Sequence, residues 1–125
     1  MTPSVSITAT PSISVTPAPA GMAQIDVSNS TTLTDITNIT VNGFTVSGGT
    51  FPIFPGQGGS FVTSQVGSGK TIVVTYTAEV NDNVTVIDSV GTNCAGATGT
   101  SRTFAGMQID NADIIFVQIA MGPCI

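Results

Sequence analysis

The sequence contains no histidine and no tryptophan, a single tyrosine, two cysteines and two basic residues in 125. Each shortage closes a class of function. Without histidine there is no Ser-His-Asp triad and no imidazole base for a cysteine nucleophile. Two thiols unsupported by imidazole cannot close a zinc site. Lys70 and Arg102 do not amount to the cationic patch that displaces counterions from a phosphate backbone, so direct nucleic-acid binding is not expected. The missing tryptophan excludes an antibody-type domain. It also weakens a sugar-binding module, for which Tyr76 would be the only large aromatic platform with a polar tip. No apolar run reaches the roughly 18 residues of a membrane-spanning helix. The N-terminus has no basic segment leading into an apolar one, so no secretory signal is read and assembly in a cytoplasm is expected.

Charge is scarce too. Charged residues make up 7% of the chain and the net charge is -5, against a usual charged fraction of about 25%. Hydrophobic residues make up 41%, and Ser and Thr together roughly a quarter. Disorder favours high net charge and few apolar residues, whereas this balance favours β-structure. Few surface charges also leave little repulsion between copies, so self-association is expected.

What is present in abundance is alternation. From Thr2 to Pro17 every even position is Ser or Thr, and every odd position is apolar or Pro: Pro3, Val5, Ile7, Ala9, Pro11, Ile13, Val15 and Pro17. A period of two gives one apolar face and one hydroxyl face when the chain is extended. The segment Pro3-Ser-Val-Ser-Ile-Thr returns eight residues later as Pro11-Ser-Ile-Ser-Val-Thr. Extended, the segment reaches roughly 50 Å, while a domain of the remaining residues has a radius of gyration of about 13 Å. Ordering it costs about 1–2 kcal/mol per residue, more than burial of Val5, Ile7, Ile13 and Val15 returns at about 1.5–3 kcal/mol each. The arm therefore needs ladder bonds or a neighbour's groove. Its prolines remove donors and suit an added or edge strand.

Residues 1–21 are thus expected to be an extended Ser/Thr/Pro-rich arm and linker, and residues 22–125 a β-domain. Strands are expected over 22–28, 33–41, 44–46, 70–80 and 84–90. A last hairpin, 103–110 with 113–121, is expected around Asn111-Ala112. Asn42-Gly43 between apolar runs is a strong two-residue hairpin signal. Residues 50–69 and 91–99 read as loops. Phe51, Ile53, Phe54 and Phe61 must bury by folding the first loop over one end of the core. The apolar run Ile114–Val117 marks a central strand. No segment keeps a 3.6-residue period, so no helix is expected. The fold class is all-β: an antiparallel β-sandwich, immunoglobulin-like in the broad sense, with a jelly roll as the alternative.

Several motifs compete with ordinary turns. Gly67-Ser-Gly-Lys-Thr71 resembles the end of a phosphate loop, but Ser64 stands where a glycine is needed and a strand pattern follows where a helix is needed. Asn81-Asp-Asn83 and Asp110-Asn-Ala-Asp113 are oxygen-rich, and could suit calcium if they met at one end of the sandwich; the ordinary explanation is that Asn and Asp make good turns by bonding their own backbone. Asp26, Asp88 and Asp110 show no spacing diagnostic of paired catalytic carboxylates. Asn29, Asn38 and Asn83 each begin an Asn-x-Thr sequon. Cys94 and Cys124 are either buried thiols or a disulfide closing a loop of about thirty residues. No cofactor, metal or catalytic residue is expected.

The two Pro-Ser-x-Ser-x-Thr repeats resemble the T-P-S-rich segments that precede small β-domains in tailed-bacteriophage virion proteins: capsid decoration proteins, head fibres and tail fibres. The Val41-Asn-Gly-Phe44 hairpin and the Phe51-Pro-Ile-Phe-Pro-Gly-Gln57 loop are similar to the immunoglobulin-like modules of those proteins. The resemblance implies a non-enzymatic structural protein of the virion, of cement or fibre type. It would be assembled in the host cytoplasm, with copies of itself and other virion proteins as partners and no membrane or nucleic-acid contact. Val5, Ile7, Ala9, Ile13 and Val15 would carry the docking. The alternative is an extracellular, pilus-like filament subunit that polymerises by donor-strand addition.

Overall fold

The computed structural model describes residues 21–77, 82–97 and 99–124. Within them the chain forms nine strands: β1 (Ala23–Ser30), β2 (Ile36–Val41), β3 (Phe44–Thr45), β4 (Gly58–Thr63), β5 (Gly67–Tyr76), β6 (Asp82–Ile87), β7 (Thr92–Gly96), β8 (Ser101–Ile109) and β9 (Ile114–Met121). They build two sheets, in the orders β4-β1-β9-β6-β7 and β3-β2-β5-β8. Every pairing is antiparallel except that of the first described strand with the last, β1 with β9. The fold is an all-β sandwich dominated by antiparallel pairs, and among the described residues no helix is long and apolar enough to cross a membrane.

Alternation builds the core. Ile25 and Val27 of β1, Val84 and Val86 of β6, and Ile115, Val117 and Ile119 of β9 turn inward to meet Ile39, Val41, Ile72 and Val74 of the facing sheet. The run at Ile114–Val117 is central as expected, with β9 held between β1 and β6. Asn42 and Gly43 form the two-residue turn of the β2–β3 hairpin, both with positive φ (51° and 85°), as a type I′ turn requires.

Four expectations are corrected. The stretches 50–69 and 91–99 contain β4 and β7, whose small residues are held by pairing with β1 and β6. β8 and β9 do not form a hairpin: the turn at Asn111-Ala112 carries the chain from one sheet to the other, and Ala112 takes φ 63° to make the crossing. Phe61 and Ile53 bury and Phe51 stacks on Phe61 at 4.6 Å, but Phe54 stays half exposed. β5 runs from Gly67 to Tyr76 and so begins before the expected position 70 and leaves out Thr77, while residues 78–80 lie outside the described residues.

Candidate assembly surface

Val5, Ile7, Ala9, Ile13 and Val15 lie outside the described residues. The structure does describe where their segment joins the domain. The Gly21 N–H donates to Asn111 Oδ1 at 2.7 Å, the Ala112 N–H to the Met22 carbonyl at 2.7 Å, and the Gln24 N–H to the Asp113 carbonyl at 2.8 Å. The arm root is therefore fastened to the β8–β9 turn at one end of the sandwich. The β6–β7 turn lies at this end as well, because Asp88 Oδ2 accepts the Gln108 N–H from β8 at 2.9 Å.

The outward face of the five-stranded sheet follows from the core. Inward Ile25, Ile115, Val117 and Val86 leave Gln24 and Asp26, Ile114 and Phe116, and Ile87 pointing away from it; Gln24 and Asp26 are nonetheless buried, so the open part of this face lies at Phe116 and Ile87. Register sets Ser60, Asp26, Phe116, Ile87 and Thr92 in one row across the five strands. Phe116 is 47% exposed and Ile87 39%. Asp26 sits in this face as a satisfied group, its Oδ1 accepting Gln24 Nε2 at 2.7 Å and Ser60 Oγ at 3.2 Å.

The two flanks of the sandwich differ. On one, Ser47 and Val62 exchange backbone bonds of 3.0 and 2.7 Å and link β4 with the segment after β3. On the other, β7 and β8 each have one strand partner among the described strands. Side chains reach across this flank: Arg102 Nε donates to the Gly96 carbonyl, and the Ser89 hydroxyl to the Gln108 carbonyl at 3.3 Å. Asp88 guards the β8 edge. Burial would raise its pKa, but the N–H groups of Gln108, Gly91 and Val90, with its own, outweigh that and hold the carboxyl below its usual range.

Cys94 and Cys124 form a disulfide with a Cα–Cα distance of 6.0 Å, which settles the choice left open by the sequence. Cys94 shares the outward row of Thr85 and Gln118, so the bridge draws the C-terminal tail over β6 onto β7. Asn83 Nδ2 donates to the Gly122 carbonyl at 2.9 Å along that path.

The other motifs resolve into structure. Gly67–Thr71 is the start of β5, so no helix N-terminus is there to hold a phosphate. The turns proposed for calcium lie at opposite ends of β9, since Asp82 pairs with Met121 while Asp113 precedes Ile114. That separation is roughly 25 Å, and Asp82 is already bound to the Thr34 hydroxyl at 2.6 Å. Among the described residues no three or more His, Cys, Asp or Glu could hold a metal ion together. Asp88 and Asp110 meet at one residue, Gln108, each accepting one of its N–H groups, and Asp26 lies apart on β1. Tyr76 is buried in the core, which also raises its pKa, so it offers no platform for a sugar. Asn29 and Asn83 have their side chains buried and bonded inside the fold, leaving Asn38 as the half-buried sequon.

No protein-family model matches this chain, and no curated protein matches it.

Proposed function

We propose that this protein is a non-enzymatic assembly component, a decoration, cement or fibre protein of a phage virion, whose N-terminal arm docks on neighbouring subunits. The observation that carries the reading is the pairing of a sandwich whose described residues pack a core of their own with a repeated, alternating segment ahead of it in the sequence. Among the described residues the core runs from Ala23 to Ile119 over both sheets, while residues 2–17 repeat an apolar face that would, extended, span more than the domain's width. The arm root is clamped to a turn by the Asn111 side chain and by backbone bonds, which suits a tether that transmits load to the sheet. Copies of this chain and other virion proteins are the partners in this reading, and the sparse charge suits close packing.

The disulfide and the β7–β8 flank favour a second reading, an extracellular filament built by strand addition. Disulfides persist in oxidising surroundings, and an edge strand can accept another strand. Electron microscopy of the purified full chain separates the two. Discrete oligomers or monomers that bind capsids support the virion reading; fibres formed by the chain alone support the filament. A variant carrying Val5→Ser, Ile7→Ser, Ile13→Ser and Val15→Ser should keep the β-sheet circular dichroism of the parent and lose incorporation. Undiminished incorporation refutes the arm's role in both.

A further inference from the structure

We infer that the outward face of β9 and β6 around Ile114, Phe116 and Ile87 is the seat for the arm of a second copy of this chain, which lays its apolar face, residues 5–15, across it. The inference rests on the reading of residues 1–20 as an assembly arm and adds the receptor. Phe116 and Ile87 are register partners on adjacent strands and both are substantially exposed. Ile114 stands two residues before Phe116 on the same face, which spaces the pair about 6.7 Å apart. Val5 with Ile7, and Ile13 with Val15, have the same two-residue spacing, so apolar side chains of arm and face match in period.

Electrostatics leave the site cheap to desolvate. Among the described strand residues on this face Asp26 is the only ionisable one, and it is already bonded to Gln24 and Ser60. No lysine or arginine of the chain lies on these strands to repel or redirect a neutral segment. The arm has no charged residue either, its other face is Ser and Thr that stays in water, and its prolines reduce the donors left to satisfy. A face-on seat at Ile87 and Phe116 leaves the guarded edge of β8 undisturbed.

A second copy is favoured over the chain's own arm by where the segment ends and how far it reaches. Gly21 is fixed beside Asn111 at the same end of the sandwich as Ile114 and Ile87. Length decides between them: residues 2–17 extended would reach roughly 50 Å, about twice the span of the eight-residue β9, so the arm would overrun the face of its own domain even though Gly21, with φ 83°, can turn the chain. An arm that overruns its own domain meets a neighbour, and its two repeats give two equivalent apolar pairs to offer.

The test mixes two full-length variants. The face variant carries Ile87→Asp and Phe116→Asp, and a milder version carries Ile87→Thr and Phe116→Thr, which keeps β-propensity if the charged pair unfolds. The arm variant carries the four serine substitutions named above. By sedimentation the parent chain should self-associate and each variant alone should be monomeric. A mixture should give one-to-one heterodimers, a doubling of mass, because the intact arm of one variant finds the intact face of the other. If the face variants assemble like the parent while the arm variant does not, the arm acts elsewhere and this seat is wrong, although the assembly reading survives. If both variants are monomeric and the mixture stays monomeric, the arm docks on its own domain and the inference fails. A parent chain that is monomeric alone also overturns it, leaving other virion proteins as the arm's receptors. Parent-like association of both variants overturns the seat and the assembly reading together.

Discussion

Asn29 shows how one side chain can hold several segments. Its Nδ2 donates to the carbonyls of Thr34 and Ile53, at 2.7 and 2.9 Å, and its Oδ1 accepts the N–H and hydroxyl of Thr31. Removing it deletes four hydrogen bonds at once: the Thr34 and Ile53 carbonyls keep only the Thr31 hydroxyl and the Ile36 N–H, and the Thr31 N–H loses its acceptor. Asn29→Ala should therefore lower the unfolding free energy by roughly 2–4 kcal/mol in a urea titration. Its sequon says nothing of this role, because its partners include Ile53, 24 positions away, and Gln57. Asp88 makes a pH prediction. Its folded pKa is depressed by backbone N–H groups, so its contribution is present above the unfolded value of about 3.9 and is lost as the pH falls through the folded value. The stability difference between the parent and Asp88→Asn should be seen at pH 6 and fade as the pH falls below the unfolded value and through the folded one. A difference that persists unchanged into acid would contradict the role of the carboxylate.

At the scale of elements, the hairpin at Asn42-Gly43 was legible because only a few residue pairs accept two positive φ values in succession. Gly43 has open space around a would-be Cβ, so Gly43→Ala should cost only the backbone strain, about 1 kcal/mol. Gly49→Ala should cost more, with thermal melts of the two variants as the comparison. There a Cβ would stand 2.7 Å from the Phe61 ring and 2.9 Å from the Ser60 carbonyl. Central β9 was legible from its continuous apolar run. β4 and β7 were not, because Gly58-Gly59-Ser60 and Thr92–Gly96 have little intrinsic strand preference and are ordered by the strands they pair with. The β8–β9 crossing was missed for a related reason. Asp110-Asn-Ala-Asp113 has the chemistry of a hairpin turn, and only the placement of the two sheets decides that its strands part.

At the scale of the molecule, the sandwich is closed along one flank by Ser47 and Val62 and fastened across its outward face by the Cys94–Cys124 bridge. The bridge spans a sequence separation of 30, worth about 3–4 kcal/mol in the chain-entropy account. The Cys94→Ser, Cys124→Ser double variant should keep the fold and show a lower denaturation midpoint by about that amount. The all-β class and the absence of long helices followed from composition and from the period of two. The exposed Ile87–Phe116 patch did not, since it depends on a register that no single segment contains. The central claim concerns residues 2–17, and their amide hydrogen exchange as a function of protein concentration tests it most directly. Docking on neighbours predicts fast exchange in dilute solution and protection that rises with concentration. Protection that is the same at every concentration, or absent at all of them, would contradict it.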